Sequence, residues 1–259
     1  MITFTIVTCT FNAAPVLQRT LDSVLRQSYG AIEHLILDGL SKDDTVRMAM
    51  EYKQKSDKAD NGHITAVISE KDGGLYDAMN KGIRHATGNY IIFLNAGDVF
   101  PNDDTLETVA ARVGEGEVLP GVLYGDTDIV DNEGHFLRHR RLAPPKQLSW
   151  KSFRWGMLVC HQAFYARADI AKKIPYDNKT YRFSADVDWC IRIMKECAKE
   201  DLPLRNVNEV IVNYLDGGMT NKNHKASLKE RFRVMAAHYG LFQTLIMHIL
   251  FTIRAIFKR

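Results

Sequence analysis

The residues best suited to chemistry are aspartates that close apolar runs. Phe93-Leu94-Asn95-Ala96-Gly97-Asp98 is an apolar strand that ends abruptly in a short polar turn with one carboxylate. Ile36-Leu37-Asp38-Gly39 repeats that arrangement, and Asp72-Gly73-Gly74 follows a third apolar run and leads into a helical pattern at Leu75. A carboxylate at the end of a buried strand lies where α/β proteins bind ligands, and hard divalent cations take such oxygens. Asp38 and Asp98 could also simply cap the turns that follow them. Asp186 is placed differently, before an amphipathic stretch containing Trp189, Ile191 and Ile193. The N-terminus of a helix holds a carboxylate rigidly enough to take a proton from a hydroxyl about 3 Å away. An aspartate there is equally a good N-cap. His161-Gln162 sits between apolar stretches, either beside a ligand or as a buried, hydrogen-bonded pair. Cys160 next to it has no accompanying base or oxyanion motif, so cysteine nucleophilic chemistry is not expected.

The elements that must position these residues follow from the pattern of the first hundred residues. Short apolar runs read as strands at Thr3 to Thr8, His34 to Leu37, Ile64 to Ile68 and Tyr90 to Leu94, separated by helical patterns. This alternation is the mark of a parallel sheet with crossover helices. Pro15 suits the first turn of a helix running to Gln27, Asp43 and Asp44 suit a helix N-terminus, and Leu75 to His85 reads as a third helix. Beyond Asp98 the regularity fades. Asp103 to Arg112 reads as helix and Val122 to Asp126 as strand, and Asp131-Asn132-Glu133-Gly134 marks a hairpin turn before a basic His139-Arg140-Arg141 strand. Residues 144–165 show no clean period and read as a loop and strand that line an acceptor cleft. A helix from Asp186 to about Ala198 and a strand from Glu209 to Tyr214 complete the pattern.

With 259 residues, 46% hydrophobic and 25% charged, the chain is long and apolar enough for a sizeable core. The net charge of +3 is unevenly placed. Lys222, Lys225, Lys229, Arg231, Arg233, Arg254, Lys258 and Arg259 face the single acid Glu230 after residue 221. The four cysteines form no CxxC pair and no metal-ligand spacing, which predicts reduced, mostly buried thiols. Met1 to Val7 lacks a basic start and a cleavage site and reads as a strand, so a cytoplasmic protein is expected.

Six stretches in this order resemble a family 2 glycosyltransferase with the GT-A fold, most like bacterial enzymes that build colanic-acid-type exopolysaccharides and surface glycans. They are Thr8 to Asn12, Leu37 to Thr45, Ser69 to Gly82, Phe93 to Asp98, His161-Gln162, and Ala185 to Asp188. The resemblance implies an α/β GT-A domain over residues 1–222, with a Rossmann-like nucleotide-binding half (1–100), an acceptor-binding half (101–222) and a mixed central sheet flanked by helices. It also implies donor nucleotide contacts at Thr8, Phe11, Asn12, Asp38, Asp72, Lys81 and Asn95. Asp98 would hold Mn²⁺ or Mg²⁺ in the place of the family's acidic metal-binding motif, although Asn95 and Gly97 stand where acids are frequent. His224 would supply a further metal ligand, Asp186 the general base, and His161, Gln162 and Asp188 contacts to acceptor or sugar. The usual Glu-Asp pair is Ala185-Asp186 here, so one acid remains. An inverting transfer from a UDP-sugar, or second a GDP-sugar, to a glycan or polyprenyl-diphosphate-linked acceptor is the function implied. The alternative is a nucleotide-sugar-binding protein that recruits partners at the membrane. A nucleotidylyltransferase would carry a basic Gly-rich loop near its start, and Thr8 to Pro15 contains no glycine.

The remaining residues, 223–259, read as a basic amphipathic helical tail. From Leu241 to Phe257 the chain is strongly apolar, with Thr244, His248 and Thr252 recurring every four residues as a narrow polar stripe. A span needs roughly 20 apolar residues, and Arg254 interrupts this shorter run. Peripheral association with the inner face of the cytoplasmic membrane is therefore expected, or else packing of the helix on protein. The basic residues keep company with aliphatic ones rather than an aromatic platform, so no nucleic-acid partner is expected.

Overall fold

β1 (Phe4–Thr10) and β2 (Ile32–Asp38) are buried at every residue. Strands covered by helices on both faces read as continuous apolar runs rather than alternating ones. The two pair in parallel from Phe4 opposite Ile32 to Thr10 opposite Asp38. β3 (Ile64–Ser69) joins β2, and β4 (Tyr90–Phe93) joins β1, both in parallel. The crossovers are α1 (Ala14–Leu25), α2 (Thr45–Lys58) and α3 (Leu75–His85). The computed structural model describes residues 1–114, 118–217 and 224–256, the side chains of 224 and 254–256 excepted.

Beyond β4 the chain forms α4 (Thr105–Ala111), β5 (Val122–Val130), β6 (Phe136–His139), β7 (Phe164–Arg167), α5 (Ala168–Lys173), α6 (Ala185–Lys199) and β8 (Leu204–Leu215). Two helices, α7 (His224–Tyr239) and α8 (Leu241–Ile256), follow. The sheet order is β3-β2-β1-β4-β7-β5-β6, with β8 on β5. β7 runs antiparallel to both β4 and β5, so the parallel sheet expected from the first hundred residues becomes mixed beyond β4.

Strand order reverses at β1, whose sequence neighbour β2 lies on one side and β4 on the other. Ligands of open α/β sheets bind in the crevice outside the strand C-termini at such a switch point. Pairing between β1 and β4 stops at Val7 opposite Phe93. β1 continues three residues to Thr10 while the other chain turns away through Asn95 to Asp98, which opens the crevice.

Two packing devices fix what surrounds it. Gly82 lets α3 lie against β1, because a Cβ there would stand 2.5 Å from one methyl of Val7 and 3.0 Å from the other. An aromatic stack joins β4 to α6. Tyr176 and Trp189 have centroids 4.7 Å apart, Tyr76 lies 5.4 Å from Tyr176, and Phe93 lies 5.2 Å from the His161 ring. Asp186 precedes Trp189 by three residues and therefore shares its helix face.

α7 packs on this body. The Glu230 carboxylate accepts the backbone amides of Arg182 (3.0 Å), Phe183 (2.6 Å) and Ser184 (3.0 Å), serving as a remote cap at the entrance to α6. Tyr239 stacks on Trp150 at 5.9 Å with nearly parallel rings. Gly240, at φ +85°, then separates α7 from α8. No helix among the described residues is long and apolar enough to cross a membrane.

Candidate active site

A cavity of about 1190 Å³ opens at the switch point. Three groups of residues line it: Cys9, Thr10, Phe11, Gly39 and Asp72; Asn95, Asp98, His161 and Gln162; and Tyr76, Arg182, Asp186 and Arg231. Strand ends supply the first group, the turn after β4 and the segment before β7 the second, and helices α3, α6 and α7 most of the third.

The turn after β4 is held from behind. The Thr20 hydroxyl donates to the Asp98 carbonyl (2.8 Å) and accepts the Gly97 amide (2.8 Å). Gly97 adopts φ +101°, and a Cβ there would meet Leu215 at 2.5 Å, so glycine is required for both reasons. The Asp98 carboxylate, 3% exposed, accepts the Leu215 amide (3.0 Å) on one oxygen and Gln162 Nε2 (3.1 Å) on the other. Burial pushes this carboxyl up to about 7, against the opposing pull of the Leu215 amide, Gln162 and Arg19. Three residues earlier, Asn95 Oδ1 is buried with no hydrogen-bond partner among the described residues. A desolvated carboxylate and an orphaned amide oxygen in one turn form an oxygen donor set that fits Mg²⁺ or Mn²⁺, with donor phosphates completing the shell.

Asp186 also lines the cavity, and Tyr76 Oη donates to its Oδ1 at 3.1 Å. The His161 ring is fixed by Tyr176 Oη at 2.8 Å, and burial pushes its pKa down. Gln162 links two neighbours, donating to Asp98 and accepting the Cys160 thiol at 2.9 Å. Burial pushes that thiol's pKa up, which fits the absence of a nucleophilic role. Asp72 accepts the Gly74 amide (2.9 Å), holding the Gly-Gly turn that starts α3. Phe11 presents its ring to solvent at the cavity mouth.

Five residues expected to touch ligand do not line the cavity. Thr8 is fully buried, where its hydroxyl donates to the Leu94 carbonyl (2.8 Å) and pairs with His34 (2.9 Å), joining β1 to the turn after β4. Asn12, at φ +49°, accepts the Lys42 amide at 2.8 Å and braces a loop. Asp38 is 2% exposed and accepts hydrogen bonds from Thr10, Ser69, and the amide and hydroxyl of Ser41. Burial disfavours its ionised form, yet these donors outweigh it and hold the carboxyl below the usual range. Lys81 pairs with Glu70 (2.8 Å) and donates to the Lys71 carbonyl (2.6 Å), so it supports the loop before Asp72. Asp188 pairs with Arg192 (2.6 Å) and His238 (2.8 Å), tying α6 to α7. Each is engaged by hydrogen-bond or ion-pair partners within the protein. The side chain of His224 lies outside the described residues.

Sequence reasoning missed Tyr76, Arg182 and Arg231. Tyr76 had a usable signal, because it begins the helix that follows Asp72-Gly73-Gly74. Elsewhere, Asp131, Glu133 and His135 bring possible metal-ligating atoms within 4.8 Å of one another on the β5–β6 hairpin. That cluster does not line the cavity, and His135 already bonds the Asp131 carboxylate through its amide (2.8 Å) and ring (3.2 Å).

The chain is 32% identical over 230 residues to a PGL/p-HBAD biosynthesis glycosyltransferase of Mycobacterium bovis, covering 84% of this chain and 79% of that one. It is 28% identical over 200 residues to the amylovoran biosynthesis glycosyltransferase AmsB of Erwinia amylovora, covering 75% and 64%. Among solved structures, S. aureus TarS in complex with UDP superposes with a TM-score of 0.67 at 15% identity, over 91% of this chain and 64% of TarS. Glucosyl-3-phosphoglycerate synthase of Mycobacterium tuberculosis, solved with Mn²⁺ and UDP, gives 0.62 at 13% identity, over 93% and 81%. These likenesses establish the GT-A fold. The family model described as glycosyl transferase family 2 matches residues 5–174, most of the body that builds the cavity, and the chain belongs to that family.

Proposed function

We propose that this glycosyltransferase transfers a sugar, with inversion, from a nucleoside diphosphate sugar to a hydroxyl of a glycan carried on a polyprenyl diphosphate. A UDP-sugar is the first choice of donor and a GDP-sugar the second. The observation that carries the reading is that the residues after β1 and β2, the Asn95–Asp98 turn and Asp186 all line one cavity.

In this reading Thr10, Phe11, Gly39 and Asp72 receive the nucleoside, and the exposed Phe11 ring offers an apolar face to the base. Asp98 and Asn95 hold Mn²⁺ or Mg²⁺, which would neutralise charge on the departing diphosphate. Asp186 takes the proton of the acceptor hydroxyl as that oxygen bonds to the anomeric carbon, and the bond from that carbon to the donor phosphate breaks on the opposite face. Tyr76 holds one oxygen of Asp186, leaving the other to accept the proton. Gln162 and the Leu215 amide fix the Asp98 carboxylate, and His161, locked by Tyr176, walls the sugar pocket.

The tail supports a membrane surface as the place of work. Leu241, Phe242, Leu245, Ile246, Ile249, Leu250 and Ile253 of α8 are exposed, whereas Thr244 and Met247 face the body. The polar stripe is satisfied by its own helix: Thr244 donates to Gly240 (2.8 Å), the His248 ring bonds the Thr244 carbonyl (2.9 Å), and Thr252 donates to His248 (2.9 Å). Such a face suits the acyl boundary of a cytoplasmic leaflet, with the basic tail residues at the headgroups.

A thermal-shift panel of UDP, GDP, dTDP and CMP, each with Mn²⁺ and again with EDTA, tests the donor site, because a ligand of the native state raises its stability. One nucleotide should shift the melt with metal and lose that shift with EDTA. No shift with any of the four would remove the transferase mechanism described here. Liposome flotation tests the surface: a chain ending before Leu241 that floats as well as the full chain would refute the role of α8.

A further inference from the structure

Three arginines line the cavity, Arg140, Arg182 and Arg231, and they are not equivalent. The Arg140 guanidinium donates to the carbonyls of Leu142 (2.6 Å), Met157 (2.6 Å) and Leu158 (3.1 Å), so it is a structural strut. Arg182 is exposed, lies 5.6 Å over the Phe183 ring and forms no ion pair among the described residues. Arg231 also forms no ion pair among the described residues, and its Nε is buried with no hydrogen-bond partner. The nearest acid in sequence, Glu230, is occupied by the three amides before α6.

That arrangement is costly without a ligand. A buried guanidinium N–H with no acceptor forfeits its hydration and receives nothing in return. The group is always charged and presents a planar fork of donors, which matches the oxygens of a phosphate. Its position is set by α7, because Glu230 fastens that helix to residues 182–184 and thereby brings Arg182 and Arg231 to the N-terminal approach of α6. Asp186 stands on the first turn of the same helix. The turn that carries Asp98 comes from a different element, the chain that follows β4.

We propose that Arg231, assisted by Arg182, forms a phosphate-binding subsite on the acceptor side of Asp186, separate from the donor phosphates at Asp98. The inference rests on the reading of Asp98 as the donor-diphosphate end and Asp186 as the base. It deepens that reading by stating how the enzyme selects a phosphate-bearing acceptor over a neutral glycan. The same chemistry could come from the donor's own phosphates, so a test must separate the two sources.

The test titrates inorganic phosphate into the full chain by calorimetry, once alone and once with UDP and Mg²⁺ at saturation, and measures UDP affinity separately. Phosphate should bind in both conditions. Arg231→Gln should weaken it at least tenfold, Arg182→Gln less, and Arg231→Lys should retain part of it, with UDP affinity changed less than twofold throughout. Melting temperatures of the variants distinguish a lost subsite from a lost fold, and the Lys variant keeps the test decisive if the Gln variant unfolds. Phosphate that competes with UDP, or an Arg231→Gln protein that loses UDP instead, would assign the arginine to the donor and overturn the proposal. Failure of wild type to bind phosphate in either condition would overturn it too. If UDP itself does not bind while Arg231-dependent phosphate binding persists, the donor reading fails and the anion subsite stands.

Discussion

Asp38 and Asp98 both follow central parallel strands, on β2 and beyond β4, yet the protein treats the two carboxylates in opposite ways. Asp38 collects hydrogen bonds from Thr10, Ser41 and Ser69, and its carboxyl is held below the usual range. Asp98 is as deeply buried, with one donor on each oxygen, and its carboxyl is pushed up to about 7. The first is a finished structural joint between the ends of β1, β2 and β3. The second is a desolvated carboxyl beside an orphaned amide oxygen, the arrangement that the proposed mechanism completes with a cation. What distinguishes a ligand-binding acid from a turn-forming one is therefore the supply of protein donors around it.

The comparison breaks most sharply by exchange of charge for amide at each site. Asp98→Asn should lower sugar transfer on the order of 10²–10³-fold, the scale of losing one electrostatic stabiliser of developing charge. It should also abolish the Mn²⁺-dependent part of the UDP thermal shift. Its stability without ligand should be equal to or above wild type at pH 8, because the substitution removes a carboxylate that burial penalises. A clearly less stable Asp98→Asn protein would place this residue with Asp38 as a structural acid.

Asp38→Asn should do the reverse. At pH 8 it should cost about 1–3 kcal/mol, the scale of leaving buried donors of a charged acceptor poorly paired, with little direct effect on the chemical step. A carboxyl depressed in the folded state contributes stability that is fully present above its unfolded value of about 3.9 and is lost as pH falls through the folded value. The stability gap between wild type and Asp38→Asn should therefore close as pH drops below about 4. Denaturant melts of both proteins from pH 3 to 8 measure it, and a gap independent of pH would mean that shape, not charge, makes the joint.

These fates were unequally legible in the sequence. The parallel half could be read because fully buried strands and crossover helices differ in period, and Asp98 because an apolar run stops there. The same uniform burial hides which side chains reach the crevice, so Thr8 in β1 could not be distinguished from its neighbours Cys9 and Thr10. The joints of Lys81 with Glu70 and of Asp38 with Ser69 depend on loop geometry and on register between strands. Asp188 had a local signal, because Arg192 stands four residues later, the spacing of a helix-surface ion pair. A strand was expected within residues 144–165 and β7 begins only at Phe164, while α5 was not foreseen: that stretch lacks a period, and a four-residue buried strand leaves no alternation by which to place it. Arg231 could not be read as a site residue because its position depends on Glu230 fastening α7 to residues more than forty positions earlier.

The smallest expected effect tests the catalytic half of the same contrast, namely whether Asp186 is a working acid or a joint like Asp38. Asp186 has one side-chain donor, Tyr76 Oη at 3.1 Å, and the tyrosine is positioned by its stack on Tyr176 rather than by the acid. Removing the hydroxyl with Tyr76→Phe keeps that stack and frees both oxygens of Asp186. A single hydrogen bond to a charged group contributes about 1.5–3 kcal/mol, and part of that is recovered from water in an open cavity. The rate should consequently fall only about three- to tenfold, with KM for the donor unchanged. Asp186→Asn, by contrast, should lose roughly 10²–10⁴-fold, the usual contribution of a general base. Equal losses in the two variants would mean that the pair holds α3 against α6 and that the proton goes elsewhere.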